Sequence, residues 1–199
     1  KYIVPIVTIV SMTKGPFAVL ISCLLSLRTK DKVTGEASSR LFKLADSPEM
    51  MLGLSVKSIE KAIYPVGFYK TKSKRIKEIC KTLLDDYDGV VPDEIDELLK
   101  LNGVGRKTAN LTVTLGYGKM GICVDTHVHR ISNRLGLVKT KTPDQTEFAL
   151  RKTLPQKHWL IYNDLLVTYG QNLCVPISPW CSKCKISKYC KRLGVKKSR

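Results

Sequence analysis

The sequence lacks long apolar runs, alternating patterns and repeats. No stretch approaches the roughly 20 consecutive apolar residues that a membrane-spanning helix needs, so a membrane is not an expected partner. Apolar and polar residues do not alternate over any useful length, which disfavours strands. Internal repeats and low-complexity linkers are also missing, so neither a repeat array nor a long disordered connection is expected.

Acidic residues are scarce, with 17 Asp and Glu against 34 Lys and Arg, which gives a formal net charge of +17. From Phe148 to Arg199 there is one acid, Asp164, against eleven Lys and Arg. Such an excess implies a polyanionic partner, and the C-terminal third is the candidate surface for a nucleic-acid backbone. A solvated surface that happens to be basic is the alternative, which a net charge this large disfavours.

The chain also lacks an even, spread set of cysteines, which argues against a secreted disulfide framework. Cys23, Cys80 and Cys123 lie in apolar contexts and are predicted to be buried, reduced thiols. The apolar first residues include no initiator Met and no small-residue cleavage site. We expect folded protein there, a native N-terminus that is trimmed or absent, and an intracellular location.

The spacing of apolar residues predicts an all-helical fold. Residues 17–27 are apolar nearly all round, as in a buried helix. Residues 38–45, 50–66 and 73–87 place apolar side chains three and four positions apart, which is typical of amphipathic helices. A chain of 199 residues with 43% hydrophobic content can form one domain or two small ones.

Residues 92–115 predict two helices joined by a tight turn at Gly103, Val104 and Gly105. Both glycines permit backbone torsions that other residues resist, and both let a partner approach the backbone. The free amides at the start of the second helix would then suit a phosphate, although an ordinary helix corner is the alternative. Four acidic residues fall in the expected first turns of the first helix, where the dipole favours them: Asp93, Glu94, Asp96 and Glu97.

Lys107 falls in the first turn of the second predicted helix. The helix dipole disfavours a cation there, as burial in a cleft would, so both favour the neutral amine that attacks carbon. Arg106 adds like charge in the same direction, and solvated surface charge is the alternative for Lys107. Asp125 precedes a predicted helix, where an N-cap is the commonest role, and its carboxylate could also stabilise positive charge on a sugar ring.

Four cysteines follow the spacing C-x6-C-x2-C-x5-C: Cys174, Cys181, Cys184 and Cys190. Thiolates this close together predict a metal centre. Zinc sites of four cysteines usually use two close pairs, and only Cys181 and Cys184 form one here. An iron–sulfur cluster also takes four thiolates and tolerates wider spacing, so the spacing leaves both metals open.

The motifs LNGVGRKTAN and VDTHVHRISNRLGL, followed by the four cysteines, together resemble the endonuclease III family. These helix-hairpin-helix DNA glycosylases excise oxidised pyrimidines and nick DNA at the abasic site. The resemblance covers the chain from about Phe17 to Cys190, and the family's usual first helix would precede Lys1. It implies an intracellular monomer that acts on double-stranded DNA carrying a damaged base or an abasic site.

The resemblance also implies a fold of two helical lobes with the DNA cleft between them. One is a six-helix domain at residues 15–118 with the helix-hairpin-helix motif at 95–114. The other is an iron–sulfur cluster domain at residues 119–199, with part of 1–14, whose four cysteines would hold a 4Fe-4S cluster.

By position, the resemblance makes Lys107 the catalytic lysine and Asp125 the catalytic aspartate. DNA contacts fall on the hairpin turn and on Lys183 and Lys185 of the basic loop. Relatives that excise mismatched bases carry serine or tyrosine in place of the lysine, so Lys107 implies combined glycosylase and lyase activity through a Schiff base. It disfavours the two alternatives, a monofunctional mismatch glycosylase and a non-catalytic DNA-binding module.

Three positions depart from the family pattern or extend it. Asn102 stands where the hairpin usually has proline, which should change the rigidity of the turn more than the chemistry. Arg28 stands where a glutamine often fills the gap left by a flipped base. Phe68, in a GFY segment, could stack on the exposed base pair, and a core aromatic is the alternative.

Overall fold

The computed structural model describes residues 6–11 and 14–199. Within these ranges every regular element is helical and no strand occurs, which confirms the predicted fold class. The described residues fall into two compact units, 6–119 and 120–199. The predicted iron–sulfur cluster domain also included part of residues 1–14. Of these, residues 1–5, 12 and 13 lie outside the described residues.

The unit of residues 6–119 is built from eight α-helices: α1 (Ile6–Ser11), α2 (Pro16–Ser26), α3 (Asp31–Leu44), α4 (Pro48–Gly53), α5 (Val56–Ile63), α6 (Tyr69–Asp86), α7 (Ile95–Leu98) and α8 (Arg106–Leu111). A π-helical turn, Thr112–Gly116, continues α8 directly. Between residues 15 and 118 there are seven α-helices rather than six, because the segment 50–66, predicted as one helix, forms α4 and α5. Leu54 and Ser55 are extended between them, and the Ser55 hydroxyl caps α5 by accepting a bond from Ser58 N at 3.1 Å.

Helix α2 lies at the centre of this unit, as the apolar run predicted. Nine of its eleven residues are buried, so it offers no polar face to solvent. It contacts α1, α3, α6, α8 and the π-helical turn. The core continues through the fully buried side chains Leu41 of α3, Ile59 of α5 and Ile76 of α6.

The unit of residues 120–199 has three α-helices: α9 (Thr126–Leu135), α10 (Pro143–Thr153) and α11 (Trp159–Asn172). Helix α9 packs on both of the others, with Val128 and Ile131 fully buried in a small core. The Ser132 and Tyr162 hydroxyls lie 3.0 Å apart and link α9 to α11. After α11 the chain forms two 3₁₀ turns, at Cys181–Lys183 and Ser187–Tyr189.

Across the described part of the chain, no helix is both long enough and apolar enough to cross a membrane.

The three isolated cysteines are buried and form no disulfide, as predicted. Burial raises the pKa of Cys23 to about 12, against a smaller lowering effect from the charge of Lys107. Burial also raises the pKa of Cys80 to about 12. Both groups therefore stay protonated and unreactive in the folded protein.

Candidate functional site

The first helix of the predicted hairpin is shorter than its acidic residues suggested. Helix α7 spans only Ile95–Leu98, so Asp93 and Glu94 precede it and the prediction for these two acids was wrong. Both carboxylates bond Lys119 Nζ instead, at 2.9 Å and 2.7 Å. Salt bridges to Lys119 therefore stabilise two charges that we expected the helix dipole to stabilise.

The turn at residues 103–105 needs one of its two glycines for backbone reasons. Gly103 has φ +85°, and an added Cβ would lie 2.9 Å from Arg75 Cδ. Gly105 has φ −97°, a torsion that any residue adopts, so the prediction of a glycine-specific torsion was wrong there. An added Cβ at Gly105 would meet nothing within 4 Å, so the backbone at this position is open to a partner.

Asn102, which replaces the proline of the family pattern, fastens the turn to α6 through its side chain. Its Nδ2 donates to Glu78 Oε2 at 2.8 Å, and its Oδ1 accepts a bond from Arg75 Nη1. The turn is therefore restrained by side-chain hydrogen bonds where a proline would restrain it through a fixed torsion.

Lys107 lies in the first turn of α8, two residues after the open backbone of Gly105. The side chain is half-buried, and its charge acts on the buried thiol of Cys23 in α2. The π-helical turn that follows α8 is a feature often found at functional sites. Lys107 is thus presented on a short helix whose other side is packed into the core.

Arg28 and Phe68 are exposed neighbours on two loops of the same unit. Phe68 is 62% exposed, which excludes the alternative of a core aromatic. The Arg28 guanidinium carbon lies 5.6 Å from the centroid of the Phe68 ring. Both residues have positive φ, +55° and +58°, a conformation that costs a side chain of this size about 1 kcal/mol or more.

Asp125 belongs to the unit of residues 120–199, whereas Lys107 belongs to the unit of residues 6–119. Asp125 is the N-cap of α9, and its Oδ1 accepts bonds from His127 N at 2.8 Å and Val128 N at 2.9 Å. These bonds satisfy two of the free amides at the helix end, and Asp125 is 9% exposed.

The four clustered cysteines line one pocket. Tyr169 Oη lies 3.0 Å from Cys184 Sγ, and Arg134 Nη1 donates to Cys174 Sγ at 3.4 Å. Hydrogen-bond donors around sulfur suit thiolates that bind a metal. Among the described residues, no three His, Cys, Asp or Glu side chains are arranged to hold a metal ion.

Exposed basic side chains surround this pocket. Lys183 and Lys185 are both exposed, as predicted for a basic loop. Lys183 Nζ lies 4.5 Å from the centroid of the Trp180 ring, and the Arg199 guanidinium carbon lies 4.0 Å from it. Part of the positive charge of the cysteine loop is therefore positioned against the ring of Trp180.

Comparison with known proteins identifies the class of protein. Residues 21–156 match the HhH-GPD superfamily of base excision DNA repair proteins. The chain is 46% identical to Endonuclease III of Thermotoga maritima over 175 residues, which cover 88% of this chain and 82% of that protein. It is 44% identical over 187 residues to Endonuclease III homolog 1, chloroplastic, of Arabidopsis thaliana, and covers 49% of that longer relative.

A solved structure titled as a trapped endonuclease III–DNA covalent intermediate superposes with a TM-score of 0.85 at 35% identity. The match covers 90% of this chain and 84% of that one. The chain therefore belongs to the HhH-GPD superfamily of base excision DNA repair proteins. Its similarity to endonuclease III confirms the predicted resemblance and the prediction of a base excision repair DNA glycosylase.

The two groups of cysteines should differ in reactivity. After chelation of bound metal at about pH 8, iodoacetamide should label the four pocket cysteines, whose side chains are partly exposed. Cys23, Cys80 and Cys123 should stay unlabelled because they are buried. Peptide mass spectrometry measures this, and unfolding in guanidinium should expose all seven. Labelling of Cys80 in the folded protein would contradict the burial described here.

Proposed function

We propose that this protein is a bifunctional DNA N-glycosylase and abasic-site lyase that removes oxidised pyrimidines from double-stranded DNA through a Schiff base at Lys107. The observation that carries the proposal is the placement of Lys107 in the first turn of α8, next to the open backbone of Gly105. The similarity to a trapped covalent endonuclease III–DNA intermediate supports the same chemistry.

Contacts to DNA are assigned to three places: the hairpin turn, the basic loop, and the pair of Arg28 and Phe68. The open turn at Gly103, Val104 and Gly105 would bring backbone amides to a phosphate, and the exposed basic loop would bind a second stretch of backbone. The damaged nucleotide leaves the stack to be reached, and Arg28 and Phe68 would occupy the space it leaves. One monomer supplies all these contacts.

In the reaction, the neutral amine of Lys107 forms a bond to the sugar C1′ as the bond from C1′ to the base breaks. The base departs with the electron pair, the nitrogen loses a proton, and ring opening gives the Schiff base. Loss of a C2′ proton then expels the 3′ phosphate and nicks the strand. Asp125, whose carboxylate accepts bonds from two backbone amides, would stabilise positive charge on the sugar or accept a proton from Lys107.

The four cysteines are proposed to hold a 4Fe-4S cluster. All four line one pocket, and such a cluster takes four cysteine thiolates. Cys174, Cys181, Cys184 and Cys190 would hold the cluster. When bound, it would fix the fold of the basic loop and take no part in the chemistry at Lys107.

Replacing the reactive lysine should abolish covalent trapping. With a duplex carrying one oxidised pyrimidine and borohydride present, the wild type should give a covalent protein–DNA band, and Lys107→Ala should give none, because no amine remains to form the Schiff base. Gel electrophoresis measures the band. Lys100→Ala, which removes an exposed lysine of the same hairpin, is the matched control and should trap normally.

If the wild type gives no band, a duplex with a bare abasic site tests the lyase independently of the lesion. Trapping there would mean that only the lesion class is wrong. No trapping from a folded, iron-containing protein would overturn the proposed lyase and leave a monofunctional glycosylase or a binding module.

Asp125 variants should separate the helix cap from the chemistry. Asp125→Asn should change stability by a few tenths of a kcal/mol because asparagine caps as well as aspartate, whereas Asp125→Ala should lose about 1 kcal/mol. Both should slow base excision about a hundredfold if the charge acts in the reaction. Thermal unfolding and single-turnover excision measure the two effects. Full activity of Asp125→Asn would restrict Asp125 to its role as a cap.

The two turn glycines should respond differently to substitution. Gly105→Ser should keep or slightly raise stability, because serine is a good N-cap and an added Cβ would meet nothing within 4 Å. It should still weaken DNA binding about tenfold if a phosphate approaches this backbone. Gly103→Ser should lose about 1–2 kcal/mol of stability, because φ is +85° there. Unchanged DNA affinity of Gly105→Ser would exclude the turn as a phosphate site.

A further inference from the structure

Lys72, on the first turn of α6, is a buried lysine with no carboxylate partner. Its side chain belongs to a residue that is 6% exposed, and none of the ion pairs formed by the described residues involves it. Burial lowers the pKa of Lys72 to about 8. Burying an unpaired ammonium is costly, so a lysine at this position implies a gain elsewhere.

The three hydrogen bonds of the Lys72 side chain go to the C-terminal end of α2 and to the loop that follows it. Its Nζ donates to Leu25 O at 2.8 Å, to Leu27 O at 2.6 Å and to Thr29 Oγ1 at 3.4 Å. An ammonium has three donors and no acceptor, so these three oxygens use its full capacity. Two of them are carbonyls at the C-terminal end of α2, where the dipole favours a cation.

The same threonine joins a second loop, which leads into α6. Thr29 Oγ1 also accepts a bond from Gly67 N at 3.1 Å. An added Cβ at Gly67 would lie 2.6 Å from Arg28 O, so the two loop backbones are in direct contact. The helix itself adds a third link, because Lys72 N donates to Phe68 O at 2.9 Å. Lys72 therefore bonds both loops at once, through its side chain and its backbone.

The residues that these loops expose are Arg28 and Phe68, each held with positive φ. A left-handed torsion in a large side chain persists only when its surroundings impose it. The bonds from Lys72 and Thr29 flank both torsions in the sequence and supply that restraint.

We propose that Lys72 is a positioning residue that holds the two loops together so that Arg28 and Phe68 enter DNA as a preformed pair. This inference rests on the proposed function, because the pair needs a space in DNA to fill. A preformed pair matters most when the enzyme must itself unstack the damaged nucleotide. It matters little when the nucleotide is already unstacked or the base is already gone.

Helix α6 offers a matched control for the simpler explanation, which is that Lys72 only caps a helix. Lys77 Nζ donates to Leu54 O at 2.7 Å and also bonds Leu52 O, so it binds carbonyls around the end of α4 in the same manner. Neither of these two hydrogen bonds of Lys77 reaches the loops that carry Arg28 and Phe68. Removal of either lysine side chain leaves carbonyls at a helix end without their ammonium partner. Only removal of the Lys72 side chain should disturb the positions of Arg28 and Phe68.

The experiment compares Lys72→Met with Lys77→Met on two substrates. Single-turnover base excision is measured on an oxidised pyrimidine paired within a duplex, and strand nicking is measured on a preformed abasic site. Lys72→Met should slow excision from the paired duplex about ten- to a hundredfold and slow nicking less than about threefold, because misplacement of positioning groups acts on the unstacking step. Lys77→Met should change the ratio of the two rates by less than about twofold.

A general loss of folded protein would lower both rates equally and leave the ratio unchanged, which would overturn the proposal. If Lys72→Met does not fold, Thr29→Val replaces it, because valine keeps the shape and removes the oxygen shared by Lys72 and Gly67. It should shift the ratio in the same direction, and an unchanged ratio would again overturn the proposal. Nicking of the abasic site by the wild type separates the two hypotheses, because its absence would refute the lyase itself.

Discussion

Much of the unit of residues 6–119 depends on a single constraint, the bonds that α6 makes from its polar face. The apolar face of this helix buries Ile76, Ile79 and Leu83 in the core. The polar side chains do not simply face solvent, because Lys72 binds the loop after α2 and Lys77 binds carbonyls around the end of α4. Arg75 and Glu78 bind Asn102 in the hairpin turn. One helix thereby fixes three loops, and two of them, the hairpin turn and the loop that carries Arg28, are assigned to the DNA surface.

The helices that the sequence predicted well are those whose pattern reflects one environment. Residues 17–27 are apolar nearly all round because α2 is enclosed on every side, and α6 is amphipathic because one face meets the core. The segment 50–66 was predicted as one helix because its apolar period continues across a break. The break comes from the capping hydroxyl of Ser55, a local bond that periodicity does not report.

In the candidate site, too, features set by neighbouring residues could be predicted, and features set by residues distant in the sequence could not. The placement of Lys107 could be predicted because a glycine turn followed by a helix is local in the sequence. Lys72 could not, since its oxygen partners lie 43 to 47 positions away and nothing near GFYKTK marks it as buried. Gly105 shows a second limit of prediction. The sequence does not distinguish a glycine that leaves room for a partner from one that a positive φ requires.

Besides Lys72, a second buried cation, Arg134, lines the cysteine pocket. Arg134 on α9 is 7% exposed, and its Nη atoms bond Val175 O, Pro176 O and Cys174 Sγ. No ion pair among the described residues gives it a carboxylate, and carbonyl oxygens alone leave a buried guanidinium poorly compensated. A thiolate at Cys174 would supply the missing negative charge. If the proposed cluster binds here through Cys174, its loss would leave Arg134 without that charge, so cluster binding and the stability of this unit would be coupled.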